Sequence, residues 1–271
     1  MALIPPFFLN TVVAIGNRGD DGEIAWSATG FFFGVPNPSV VGSYFPYLVT
    51  NRHVLAPLTR PVIRMNPDGL EPAKVFDISL HDDDGQSLWA FHPDESVDVA
   101  VTTINFQHDV LTDISRNFFE SDHHALTTEG MRAAGISEAN HVVVLGFPMG
   151  IVGEVRNAVL VRTGSIARLR DLFDGYGNSF LVDATVLPGN SGGPVVQLVE
   201  PVSIEGTQNQ TKSNLIGIVA EYLTYSDLAV SQQTGRARVS FEENAGLAKV
   251  FPVETILACI EEWQKSHSNP D

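Results

Sequence analysis

Residues 188–194 read Pro-Gly-Asn-Ser-Gly-Gly-Pro. Ser191 is followed by two glycines and preceded, two positions earlier, by Gly189. Glycine accepts positive φ and close backbone approach. A tight loop here can therefore aim the N–H groups of Gly189 and Ser191 at one point, an oxyanion hole where charge would gather on an attacked carbonyl oxygen. A serine hydroxyl is a weak nucleophile alone and needs a base with an orienting acid. Leu48-Val-Thr-Asn-Arg-His-Val54 ends an apolar strand in His53, whose neutral imidazole would take the Ser191 proton and return it to a leaving group. Asp98 opens the alternating run Asp98-Val-Ala-Val-Thr-Thr-Ile104 and would hold His53 in the required tautomer. Asp94 and Glu95 are rivals for that role. Asp98 is preferred because a strand starts directly after it.

The chain order is His, Asp, Ser, the first pair 45 positions apart and the second 93. Order and motifs together resemble the trypsin-like (chymotrypsin-fold) serine peptidases, and not the subtilisin or α/β-hydrolase orders. Bacterial Deg-type and stand-alone trypsin-like peptidases are nearest in pattern. The likeness is carried by Phe180-Leu-Val-Asp-Ala-Thr-Val-Leu-Pro-Gly-Asn-Ser-Gly-Gly-Pro194, by Val144-Leu-Gly-Phe-Pro-Met-Gly150 and by Gly246-Leu-Ala-Lys-Val-Phe-Pro-Val-Glu-Thr-Ile256.

That resemblance implies a serine endopeptidase acting on polypeptides through an acyl-enzyme. It places Thr185 at the base of the pocket before the scissile bond, and Ala220, Glu221 and Tyr222 on the strand that pairs with substrate. Thr185 is uncharged, so a demand for Lys or Arg is not expected; a small or medium apolar preference is. Asn190 stands where activated zymogens carry an Asp, and Ala220 where a Ser often supports the catalytic Asp. Other contacts must then organise both. Two alternatives stay open: an inactive binding protein on a peptidase fold, and an esterase or acyltransferase using the same three residues.

Strand-like runs broken by Gly, Pro, Asn and Asp clusters dominate the 271 residues, the pattern of an all-β barrel or sandwich. With the resemblance, the expected fold is two consecutive six-stranded antiparallel β-barrels and a C-terminal α-helix. Residues 1–117 form the first barrel, 118–138 the connector, with a helical turn at Thr128–Ala134, and 139–251 the second barrel. Residues 252–271 form a helix and tail. Ile256, Leu257, Ile260 and Trp263 recur at helical spacing there, a stripe expected to pack on the second barrel.

Sixteen basic and 32 acidic side chains give a formal charge of −16. Nucleic acid and anionic membrane reward clustered Lys and Arg, so neither is expected as a partner. The single cysteine, Cys259, excludes an intramolecular disulfide and fits a reducing compartment. Residues 1–16 lack the charged start of a secretory signal, and no run reaches membrane-spanning length. A cytoplasmic, bacterial protein is expected, with room for a regulatory protein partner. No cofactor or metal is expected: His81-Asp-Asp-Asp-Gly85 misses the spacing of a calcium loop, and the histidines other than His53, including His123 and His124, are read as solvated.

Overall fold

Alternation of apolar and polar residues, punctuated by turn formers, sets most elements of the computed structural model, which describes residues 4–106, 111, 113–201 and 208–267. Residues 1–3, 107–110 and 112 of the expected first barrel, 202–207 of the expected second barrel and 268–271 of the expected tail lie outside the described residues. In the first half, the strands are β1 (Val12–Arg18), β2 (Ile24–Pro36), β3 (Tyr44–Thr50), β4 (Pro61–Met65), β5 (Lys74–Asp77), β6 (Ala90–Phe91), β7 (Ala100–Thr103) and β8 (Phe119–Glu120). They make one eight-stranded sheet in the order β5-β4-β1-β2-β3-β7-β6, with β8 added parallel to β2. Two one-turn helices interrupt the strands, α1 (Phe7–Asn10) and α2 (Arg52–Leu55).

The second half holds β9 (His141–Gly146), β10 (Leu160–Arg168), β11 (Phe180–Asp183), β12 (Pro194–Gln197), β13 (Asn214–Val230) and β14 (Ala237–Pro252). These six close into an antiparallel barrel, β10-β11-β14-β13-β12-β9. Helix α3 (Thr128–Ala133) lies between the halves, capped by the Thr127 hydroxyl accepting the Gly130 N–H. A short α4 (Arg170–Phe173) follows β10, and α5 (Val253–His267) ends the described chain. The architecture is mostly β, with a closed six-stranded barrel, a second sheet and a C-terminal helix, as the sequence implies.

One core cluster runs through both halves. Phe31, Tyr47, Val99 and Val101 of the first sheet join Leu145, Phe147, Ile218 and Phe251 of the barrel, all essentially inaccessible to solvent. Helix α5 belongs to this shared core through Ile256, Cys259 and Ile260. Its stripe leans on the first-half sheet, not only on the second barrel as expected. Cys259 Sγ approaches the Val99 carbonyl at 3.6 Å, Trp263 Nε1 donates to the Leu88 carbonyl at 3.1 Å, and the Trp263 ring meets Tyr47 edge-on at 5.8 Å. The physical reason is position. β14 delivers the helix to the junction, where the strand behind Asp98 offers the nearest apolar surface.

Candidate active site

Asn51, buried at the end of β3, starts α2, and His53 is the second residue of that helical turn. Asp98 sits two residues before β7. One Asp98 oxygen, Oδ1, accepts the His53 backbone N–H at 2.9 Å, and the other, Oδ2, makes a close bond to His53 Nδ1. The Asp98 carbonyl is tied in turn by Asn51 Nδ2 at 2.6 Å. Burial alone would raise the Asp98 pKa. The bonds from the His53 ring and main chain, with the Arg52 N–H, outweigh burial and hold the carboxyl below its usual range. Asp94 and Glu95 stay out of this contact: the Asp94 carboxylate instead accepts the Ser96 N–H at 2.9 Å.

His53, Asp98, Gly189 and Ser191 line one open cavity of about 640 Å³ between the two halves, together with Ala220, Glu221 and Tyr222. Glu221 is exposed and pairs with Lys249 at 3.5 Å. Thr185 is not brought to the cavity. The chain past β11 alternates, burying Ala184 and Val186 and turning Thr185 to solvent.

The loop around Ser191 is held from several sides. Gly189 has φ +100°, and a Cβ there would collide with the Phe147 carbonyl, so this position needs glycine. The Pro188 carbonyl accepts the Met149 N–H at 2.6 Å. The peptide between Pro188 and Gly189 is trans, so the Gly189 N–H points the opposite way. Neither the Gly189 nor the Ser191 N–H has a hydrogen-bond partner among the described residues. Asn190, fully buried, replaces a charged anchor with local bonds: its Oδ1 accepts the Leu187 N–H at 3.1 Å and its carbonyl accepts the Gly193 N–H at 2.8 Å.

Thr29, buried in β2, was not singled out by the sequence. Its hydroxyl donates to the Gly189 carbonyl at 2.6 Å and accepts the Phe147 N–H at 3.0 Å. Its N–H donates to the Ser191 carbonyl at 3.0 Å, and its own carbonyl accepts the Thr50 hydroxyl at 2.8 Å. Met149, in the short 3-10 turn Pro148–Gly150, has φ +55°, rare for a non-glycine residue. Nothing local in the sequence signals either role, because both are ties between segments far apart in the chain.

Elsewhere, His81–Gly85 forms a turn in which the Asp82 carboxylate accepts the Asp84 and Gln86 N–H groups. His124 departs from the solvated expectation. It is half-buried against the rings of Phe7 and Phe8, its Nδ1 accepts the Glu120 N–H at 3.1 Å, and burial lowers its pKa. Glu120, Asp122 and His123 gather ligand atoms within 4.8 Å of one another on an exposed turn. No helix among the described residues is long and apolar enough to cross a membrane.

The model of the trypsin-like peptidase domain matches residues 28–200. The chain belongs to this family. Its fold is shared with the atomic-resolution structure of HBP, at 11% identity and a TM-score of 0.50, covering 100% of this chain and 96% of that one. The MamO protease domain from Magnetospirillum magneticum, in its apo form, is 14% identical over 93% of this chain and 97% of that one, with a TM-score of 0.49. An inactive form of Rv3671c from M. tuberculosis H37Rv is 16% identical over 99% and 95%, with a TM-score of 0.47. Comparison with curated proteins gives no match. At 11% identity the likeness to HBP is one of fold alone.

Proposed function

We propose that this trypsin-like peptidase is an active serine endopeptidase in which Ser191 attacks, His53 moves the proton and Asp98 orients His53. The observation that carries the reading is the pair of unpartnered N–H groups of Gly189 and Ser191. Both residues line the open cavity, and two donors left without a protein acceptor beside a hydroxyl suit a negatively charged oxygen. An acyl-enzyme and its tetrahedral precursors supply that oxygen. The two-point hold of Asp98 on His53 fixes ring rotation, and the short bond to Nδ1 leaves Nε2 as the nitrogen that exchanges the proton. The Ser usually expected to support the Asp is replaced by Ala220, and the Asn51 amide on the Asp98 main chain supplies support from another side.

The Pro188 carbonyl, turned onto Met149, keeps the donor pair open without a charged partner for Asn190. We therefore read the loop as competent in the intact chain. The experiment is labelling with a fluorophosphonate, followed by digestion of casein. Labelling at Ser191 and casein cleavage are expected together; labelling without cleavage of any polypeptide would favour an esterase, and no labelling would overturn the reading. A polypeptide substrate and a regulatory protein partner remain part of this proposal, as does residence in a bacterial cytoplasm.

A further inference from the structure

β13 and β14 are far longer than the barrel needs. Their inner halves are buried, but from Thr224 to Val230 and from Ala237 to Glu243 every residue is exposed. The outer hairpin is a two-stranded arm paired only with itself, in the register Thr224↔Asn244, Asp227↔Phe241 and Ala229↔Val239. It carries Tyr225, Leu228, Val230, Val239 and Phe241, each about half exposed. An isolated hairpin is marginal in water, and a long apolar edge is a liability unless something covers it.

The arm starts at the catalytic cavity. β12 pairs with β13 only as far as Pro194↔Ile218; Gly192 and Gly193 extend this by one residue through bonds to Val219. At Ser191 the chain turns away. Beyond that point, no strand among the described residues pairs with this edge of β13. The vacated edge runs past Ala220, Glu221 and Tyr222, which line the cavity, and onward along the arm. The Leu228 N–H on the arm is satisfied by the adjacent Asp227 carboxylate at 2.8 Å, a local bond that an incoming chain can replace.

We propose that the arm is a docking strip for the substrate itself, taking the segment N-terminal to the scissile bond as an added antiparallel strand. The inference rests on the peptidase reading above and names its substrate class: an unfolded polypeptide, not a short peptide. Direction follows from the topology. A strand taking up the line of β12 runs antiparallel to β13, so its C-terminal end meets Ser191 and its N-terminal residues lie outward. That is also the part that stays attached in the acyl-enzyme. From Ala220 to Val230 the strip spans roughly 35 Å at strand rise. Tyr225, Val239 and Phe241 share one face with Asp227 and Glu243, which suits apolar side chains interspersed with basic ones.

The test uses internally quenched peptides with one scissile site and two to ten residues on its N-terminal side. In the wild-type chain, kcat/KM should rise about tenfold or more as that side lengthens, the gain expected from apolar contacts of this size. Replacing residues 225–243 with an Asn-Gly turn between the paired Thr224 and Asn244 should keep fluorophosphonate labelling and cleavage of the shortest peptide, and abolish the length gain. Should that variant not fold, Val239→Lys with Phe241→Lys is expected to lose the same gain. A gain unchanged in the variants, or one that follows C-terminal extension, overturns the proposal. Absent labelling of the wild type refutes the peptidase reading, so the two failures are distinct.

Discussion

The Thr29 hydroxyl lies 2.6 Å from the Gly189 carbonyl oxygen and takes the Phe147 N–H at 3.0 Å. One side chain of the first sheet thus fixes two loops of the second barrel, and through Gly189 it fixes the donor that faces the cavity. Thr29→Val keeps the shape and removes both bonds. It is expected to lower kcat about 10–100-fold with little change in KM, since a misplaced donor weakens transition-state contacts more than ground-state ones. Thr29→Ser should restore most of the loss. Equal kcat for Thr29→Val and wild type would refute this role.

Ser191→Ala should fold normally and lose turnover by about 10⁴–10⁶-fold, the scale set by removing a triad nucleophile. Steady-state rates on casein together with thermal unfolding decide it. Residual turnover within tenfold of wild type would mean the nucleophile is another residue.

Met149 pays a conformational penalty to present its N–H to the Pro188 carbonyl. Met149→Gly removes that strain and keeps the donor, so activity should persist and stability rise by up to about 1 kcal/mol. Met149→Pro lacks the N–H and cannot reach positive φ. Fluorophosphonate labelling of this variant should slow by at least about tenfold, whereas equal rates for all three proteins would show that the Pro188 peptide needs no such hold.

The depressed Asp98 carboxyl should make stability acid-sensitive. Its contribution is present above the ordinary carboxylate range and is lost as pH falls through its lowered native value. Asp98→Asn lacks that ionisation, so the stability difference between wild type and variant, followed by circular dichroism, should shrink as the pH falls through this range. A difference that stays constant in acid would refute the hold on the carboxyl.

Cys259 offers a probe of α5. Burial pushes its thiol pKa up to about 12, so a thiol reagent at neutral pH should not modify the folded chain and should modify it fully after denaturation. Rapid modification of the native chain would mean that the helix is not seated on β7.

Where a short apolar run is bounded by turn formers, the sequence shows it. Tyr44–Thr50, Pro61–Met65 and His141–Gly146 have the bounds that such runs predict. That His53, Asp98 and Ser191 come to one cavity could be anticipated because each sits at an abrupt change of pattern, at a strand end, a strand start or a glycine cluster. The outer arm was not, since Leu228, Val230, Val239 and Phe241 have no buried face to alternate against. Thr29 was hidden for another reason. Its partner is 160 residues away, and a lone threonine in an apolar strand carries no trace of such a tie. Thr185 misled because resemblance fixes position along the chain, while side-chain direction depends on the local pleat.

The seat of Cys259 against the Val99 carbonyl, again 160 residues apart, sets the order of synthesis against the order of assembly. Ribosomes add about 5–20 residues per second, so Val99 is made at least several seconds before the side chain that covers it. Through that interval the apolar strand behind Asp98 has no helix on it, and the core that joins the two halves is still missing Ile256, Cys259 and Ile260.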